Sequence, residues 1–196
     1  ASAVKECVPT SFLTKLIESF FTSSSLASPQ TEINPIEILE TGSKLTPMGE
    51  GGIKSEHGIP MSARNLHPSH FGFIDPVRTT ESLRVGIDNR APHHVTFKNR
   101  GIYGKFKNKD GKEVELRPID LAGKVVAFAG QDGMKVVKAM VDDDMREVPR
   151  EKVDYWMSSA RDMFACTPNL VPFMHNDQGN RVTMSSRFIT QAVPLV

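Results

Sequence analysis

Arg64-Asn65-Leu66-His67-Pro68-Ser69-His70-Phe71-Gly72, continuing through Val77-Arg78-Thr79-Thr80-Glu81-Ser82, packs anion-binding groups and backbone-stiffening residues into a short length of chain. Pro68 and Pro76 each restrict their own φ and the residue before them, which excludes one continuous helix. Gly72 permits a tight bend, while Arg64, His67, His70, Arg78 and Arg84 crowd hydrogen-bond donors along the path. A rigid, polar, basic loop is expected, of the kind that carries function when a scaffold positions it.

The surrounding chain has 196 residues, enough for one large domain or two small ones. Hydrophobic residues make up 39% and charged residues 24%, so a core is within reach but not generous. With 24 basic and 23 acidic residues the net charge is +1, so only local clustering could favour a nucleic acid. No apolar run approaches the ~20 residues of a membrane span, and no secretory signal pattern is present. Cys7 and Cys166 have neither zinc spacing nor the count of a disulfide framework and read as reduced and incidental. A soluble, cytoplasmic protein is expected.

Outward from the loop, local signals alternate between helix and strand. Residues 10–22 read as a helix capped by Thr10 or Ser11. Its apolar stripe (Phe12, Leu13, Leu16, Ile17, Phe20, Phe21) is expected to be core, with a partner-facing groove as the alternative. Asn34-Pro35 opens a second helix and Gly42 stops it. The glycine-rich run Thr46 to Gly58 lacks the Gly-Lys-Ser/Thr ending of a P-loop and no strand feeds it, so it reads as a flexible hairpin tip. Residues 93–141 read as a small, mostly antiparallel β module. Its strands are expected at His94–Phe97, Gly101–Lys107, Glu113–Leu116, Lys124–Phe128 and Met134–Val141, with a hairpin turn at Asp110-Gly111. Asp142-Asp143-Asp144 reads as a solvated turn, because alternate side chains of an extended run point oppositely and cannot converge on one ion. Val153–Trp156 closes the module. Ser158 to Phe164 starts a helix that Pro168 and Pro172 interrupt. A last helix from about Gly179 to Ala192 places Arg181, Met184, Phe188 and Gln191 on one face. The abrupt finish at Pro194-Leu195-Val196 suggests a piece of a larger body.

Residue chemistry alone is sparse. His67 and His70 stand at i and i+3 with His93-His94 nearby, but zinc needs three or four converging ligands, and Pro68 excludes the helical hydrolase geometry. No nucleophile elbow is present. The residues themselves indicate an α+β chain with one rigid basic loop and no assigned metal site.

The quoted loop, however, resembles the Arg-Asp-x-His-Pro-Ser/Thr-His-Tyr-Gly segment of the β subunit of bacterial-type multisubunit RNA polymerases. Upstream, Asn34-Pro35 and Met48-Gly49-Glu50-Gly51-Gly52-Ile53 are similar to that family's Asn-Pro and Leu-Gly-Pro-Gly-Gly-Leu. Downstream, Val77–Ser82 stands where the family has Ile-Glu-Thr-Pro-Glu-Gly, and Gly86 keeps its place. Val153-Asp154-Tyr155, the run Leu170 to Arg181 and Gln191-Ala192-Val193-Pro194 resemble later motifs in the same order. The family's β subunit is several times longer, so the resemblance is to its middle.

What the resemblance implies can be written residue by residue. The fold would be α+β, with helical segments at both ends flanking a small, mostly antiparallel β module within the polymerase β core. Residues 1–45 would line the RNA path, 46–92 form the fork-loop region, 93–157 the β module and 158–196 a helical active-centre segment. Arg181 would reach the incoming nucleotide's phosphates, a role suited to a fixed guanidinium fork. Glu81 would stand beside the active centre and Gln191 near the RNA 3′ region. Gly51, Gly52, Lys54, His57 and Arg64 would face the fork and downstream DNA through sequence-independent contacts. His67 and His70 would be scaffold, with caps and buried hydrogen bonds as the plain structural reading of all three basic loop residues. The catalytic Mg²⁺ would be held by another subunit, so this chain would be no polymerase alone and would work with β′-like and remaining β parts, DNA template, RNA product and NTPs.

Departures from the pattern accompany these matches. Arg78 replaces a glutamate beside Glu81, Thr80 and Ser82 replace Pro and Gly, and Thr190 replaces an arginine. Thr41 and Thr46 replace His and Ser in the rifamycin pocket, which implies weak binding of such drugs. Such divergence suggests a split β subunit of a large bacteriophage, acting in the host cytoplasm. Two alternatives are a free-standing nucleic-acid-binding module and a metal-dependent hydrolase.

Overall fold

The computed structural model describes residues 11–24, 26–99, 101–193 and 195. Cys7, the Thr10 cap and Pro194 lie outside them. The fold is α+β with a mixed sheet and helices towards both ends, as expected.

Helix α1 spans Ser11–Ser23 and α2 spans Pro35–Gly42. Asn34 begins α2 as expected: in extended conformation, its side chain accepts a hydrogen bond from the Ile36 N–H at 2.9 Å, and Pro35 follows in the first turn. The stripe of α1 departs from expectation. Phe12, Leu13, Leu16, Ile17, Phe20 and Phe21 are all exposed, Phe20 by 68%. Helical periodicity fixes that one face is apolar but not what covers it, and no described residue of this chain does.

Beyond α2 the chain forms β1 (Lys44–Leu45), which pairs antiparallel with β2 (Asn89–Arg90). Residues between them run as short 3₁₀ turns and loops. The glycine-rich run is not a hairpin tip: its flanking strand β1 pairs with β2, and the loop closes on itself through Ile53 N–H to Pro47 O (3.0 Å) and Gly52 N–H to Gly49 O (3.1 Å).

The β module comprises β3 (Thr96–Lys98), β4 (Gly101–Asn108), β5 (Glu113–Leu116), β6 (Val126–Ala127), β7 (Val136–Val141), β8 (Asp144–Pro149) and β9 (Tyr155–Met157). The order is β3-β4-β9-β6-β7-β8, with β5 also on β4. All pairs are antiparallel except β6 with β9. Asp110-Gly111 turns β4 into β5, as its sequence predicts. Asp142 and Asp143 form the two-residue loop between β7 and β8, both at positive φ (44° and 66°), the hairpin geometry that a short polar side chain tolerates. Strand β8 has no counterpart in the sequence reading. It is an edge strand, and the mostly polar Asp144-Met145-Arg146-Glu147 is exposed.

Alternation of side chains gives the sheet two packed faces. Val126, Met140, Phe106 and Met157 gather on one, and Ala127, Ala139, Val137 and Val153 on the other. The quoted loop covers the first face. Phe73 packs on Phe106 with ring centroids 5.6 Å apart, and Phe71 meets Phe128 edge-on at 5.7 Å. Gly72, at φ 85°, lets the backbone pass beside β4: a Cβ there would lie 3.1 Å from Phe106 Cζ.

After β9, Ala160–Met163 is a 3₁₀ turn rather than a longer helix. Helix α3 (Cys166–Leu170) contains Pro168 instead of being broken by it, because a first-turn N–H has no intrahelical partner to lose. Helix α4 runs Gly179–Gln191, as expected. Among the described residues no helix is long and apolar enough to cross a membrane.

Candidate nucleic-acid interface

Helix α4 carries Arg181 and Gln191, two of the three residues singled out for nucleotide and RNA contact, so its anchoring decides the geometry. Val182, Ser186 and Thr190, spaced at i, i+4 and i+8, form its buried side. The Thr183 hydroxyl donates to Val77 O (2.8 Å), and the Asn34 amide donates to Ile189 O (2.8 Å) and Ala192 O (2.9 Å). Asn34 thus starts α2 and satisfies carbonyls at the end of α4. The opposite side presents Arg181, Met184, Phe188 and Gln191 to solvent, with Phe188 66% exposed. Arg181 and Gln191 stand roughly 15 Å apart along the axis at 1.5 Å per residue. Glu81 meets this helix through Arg187, Nη1 to Oε2 at 3.4 Å. The structure therefore brings Glu81 to the helix that bears Arg181 and Gln191.

Beneath this helix lies a buried polar centre. Arg78 Nη2 approaches Glu40 Oε2 at 2.6 Å, and its Nε lies 2.8 Å from the same oxygen and 3.1 Å from Oε1. The Thr167 hydroxyl donates to Glu40 Oε1, and Arg90 Nε lies 4.0 Å from Oε2. Glu40 is 2% exposed and Arg78 6%. Next to them, buried Asp75 accepts from the N–H groups of Val77 (2.7 Å), Arg78 (2.8 Å) and Ala165. Burial pushes the Asp75 carboxyl above its ordinary range against the pull of these three hydrogen bonds. Burial, followed by the Arg78 charge, holds Arg90 below the usual arginine range. The centre joins α2, the 75–80 turn and α3. Arg78, the charge reversal noted beside Glu81, faces Glu40 instead, while Glu81 pairs with Arg187.

The quoted loop is held by its own side chains. Arg64 donates to the carbonyls of Glu56 (2.8 Å), Val85 (3.2 Å), Ile59 (3.5 Å) and Leu83, so its guanidinium ties residues 56–59 to 83–85. His67 Nδ1 lies 2.7 Å from Ser69 Oγ and accepts from Ser69 N–H. His70 Nδ1 accepts from His67 N–H at 3.4 Å. Burial, and then neighbouring His67, lower the His70 pKa, which suits a neutral acceptor. Both rings thus act as backbone caps.

Gly51, Gly52, Lys54 and His57 lie exposed on the 46–58 loop. Gly52 is required there by close approach, since a Cβ would sit 2.2 Å from Pro47 O. The loop faces an open cleft of ≈ 590 Å³ that Lys44, Lys54, Arg84 and Asp88 also line. Asp88 pairs with Lys44 (3.2 Å), and Arg84 with Glu56 (2.8 Å).

Sequence reasoning missed Glu40, Asp75, Thr167 and Arg187. An acidic residue inside a predicted helix carries no local signal of burial; only the unusual Arg78 could have prompted a search for its partner.

Residues 30–91 match the family described as RNA polymerase Rpb2, domain 3. The chain is 30% identical over 197 residues to the DNA-directed RNA polymerase subunit beta of Methylacidiphilum infernorum, covering 94% of this chain and 15% of that protein. It is 30% identical over 201 residues to the subunit of the same name from Prochlorococcus marinus strain MIT 9312 (94% and 18%). With that of Kosmotoga olearia it shares 29% identity over 208 residues (98% and 18%). The chain thus spans less than a fifth of the length of these curated relatives. Along nearly all of its length, it is homologous to the middle region of the β subunit of bacterial-type multisubunit RNA polymerases.

Proposed function

We propose that the chain serves as part of the β subunit of a multisubunit DNA-dependent RNA polymerase, contributing to template-directed RNA synthesis without being catalytic alone. The observation that carries this reading is the match over 94% of the chain to proteins named DNA-directed RNA polymerase subunit beta. In this reading residues 1–45 line the RNA path, 46–92 form the fork-loop region and 158–196 reach the active centre. The exposed side of α4 offers Arg181 for nucleotide phosphate and Gln191 for the RNA end, with Glu81 held alongside by Arg187. Lys54 and His57 face the downstream duplex, and Arg64, His67 and His70 stiffen the base of the fork. Mg²⁺ is held by another subunit. The bare apolar stripe of α1 supports a place within a larger body, where β′-like and remaining β parts would cover it. A split β subunit of a large bacteriophage, acting in the host cytoplasm, fits the divergence at Arg78, Thr80, Ser82 and Thr190.

Co-purification tests the proposal. The chain should come down with large polymerase subunits, and the mixture should extend RNA on a template from NTPs. A chain that binds DNA or RNA alone with no such partners would instead be a free-standing binding module, and the proposal would fall.

A further inference from the structure

We infer that His93, His94 and Asp162 form a binding site for a divalent transition-metal ion, with zinc the best chemical fit, clipping the entry of the β module to the turn before α3. Among the described residues these three are the group of His, Cys, Asp or Glu side chains whose ligand atoms all lie within 4.8 Å of one another. Two imidazoles and one carboxylate are a donor set that suits zinc, leaving a fourth position for water.

Three details separate this group from a chance surface cluster. His93 Nδ1 lies 3.4 Å from Phe164 O, so its N–H can donate there while Nε2 turns to Asp162 Oδ1 at 3.9 Å. Asp162 holds the Ser159 N–H with Oδ2 (2.9 Å), which leaves Oδ1 directed at the imidazole. His93 and Asp162 therefore already have the outer partner that metal ligands ordinarily need for orientation. His94 supplies the third detail: both its ring nitrogens are buried and neither has a hydrogen-bond partner. A buried imidazole without a partner is costly, and a metal ion would satisfy one nitrogen. Burial, the largest influence, lowers the His94 pKa and so favours the neutral ligand form. The neighbouring His93 and Lys105 charges act in the same direction, and Asp162 opposes them. In a tetrahedral zinc site, bonds of about 2.0–2.1 Å place ligand atoms about 3.3 Å apart, so a closure of up to about 1.5 Å from the 4.8 Å bound completes the set.

The ion would join residues distant in sequence, His93 and His94 ahead of β3 and Asp162 in the Ala160–Met163 turn. His67 and His70, whose Nδ1 atoms are engaged as caps, take no part. The site does not depend on the polymerase reading.

Titration of the chain with Co²⁺, followed by its visible absorption and by displacement with Zn²⁺, tests the site. One equivalent should bind, and Zn²⁺ should raise the melting temperature. His93→Ala, which alters an exposed ring, and Asp162→Asn, which keeps an oxygen for Ser159, should each weaken binding roughly tenfold or more while circular dichroism stays unchanged. His94→Asn should do the same, and His67→Ala should leave binding intact. Wild-type chain that binds Co²⁺ no better than a His93→Ala/Asp162→Asn double variant would overturn the inference, as would binding lost in His67→Ala alone.

Discussion

Arg78 and Glu40, 38 residues apart, form a buried two-pronged ion pair with contacts from 2.6 to 3.1 Å. Desolvating two charges is expensive, so such a pair specifies an arrangement more than it stabilises one. Its main effect is to fix α2 against the 75–80 turn, and Thr167 extends the link to α3.

Breaking the pair from one side should therefore be severe. Arg78→Met leaves the buried Glu40 with only Arg90, 4.0 Å away, in place of its close two-pronged partner and should cost about 3–5 kcal/mol. The Arg78→Met/Glu40→Leu double variant should recover much of that loss. Urea denaturation of the three proteins gives both values, and additive costs would show that the two residues are energetically independent.

Arg181 should behave in the opposite way. It is exposed, and its guanidinium makes only a 4.0 Å contact with Met184 Sδ among the described residues. Arg181→Ala should change stability by no more than about 0.5 kcal/mol. In the assembled enzyme it should raise the NTP concentration needed for half-maximal RNA extension. An unchanged requirement would remove Arg181 from the nucleotide site.

Gly86 tests how tightly the loop is closed. It sits at φ 73°, and a Cβ would lie 2.3 Å from Arg64 O. Gly86→Ala meets both a disfavoured backbone and a clash. Gly111, at φ 76° in the β4–β5 turn, opens onto free space. Gly111→Ala should cost about 1 kcal/mol from φ alone, and Gly86→Ala clearly more, within the usual range of about 1–3 kcal/mol or above it. Thermal unfolding of the two variants gives the comparison.

Acid should release one tie within the sheet. Asp154 accepts from the Val125 N–H (3.2 Å) and pairs with Lys109 (3.3 Å), and these hold its carboxyl below the ordinary 3.8. A lowered carboxylate stabilises the fold fully above the unfolded pKa and loses that contribution as pH falls through the folded one. The stability difference between wild type and Asp154→Asn should be constant near neutrality and shrink below about pH 3.8. Denaturation curves at several pH values would read it.

Much of this architecture follows from local signals. Asn34-Pro35, Asp110-Gly111 and the spacing of Arg181, Met184, Phe188 and Gln191 act within a few residues, and each formed the expected element. What escaped depends on distance. The stripe of α1 declared an apolar face, yet its cover is not among the described residues. Strand β8 hides because an edge strand needs little apolar alternation, and its turn uses two aspartates where glycine is usual. The partners Glu40 with Arg78, and His93 with Asp162, meet only through the fold. For the candidate interface, Arg181, Glu81 and Gln191 came from resemblance, and the residue spacing alone would have shown no more than a helix face of mixed polar and apolar residues.

One topological feature bears on how such a chain tolerates change. Strand β3, where the chain enters the sheet, is separated from β9, where it leaves, by β4 alone, about 10 Å at two strand spacings. Everything between them is a detour that returns almost to its starting point. The turns of the β4–β5 and β7–β8 hairpins can then lengthen, shorten or exchange sequence while the path from the quoted loop to α4 keeps its geometry. Sequence change at these two turns would leave undisturbed the face that α4 presents.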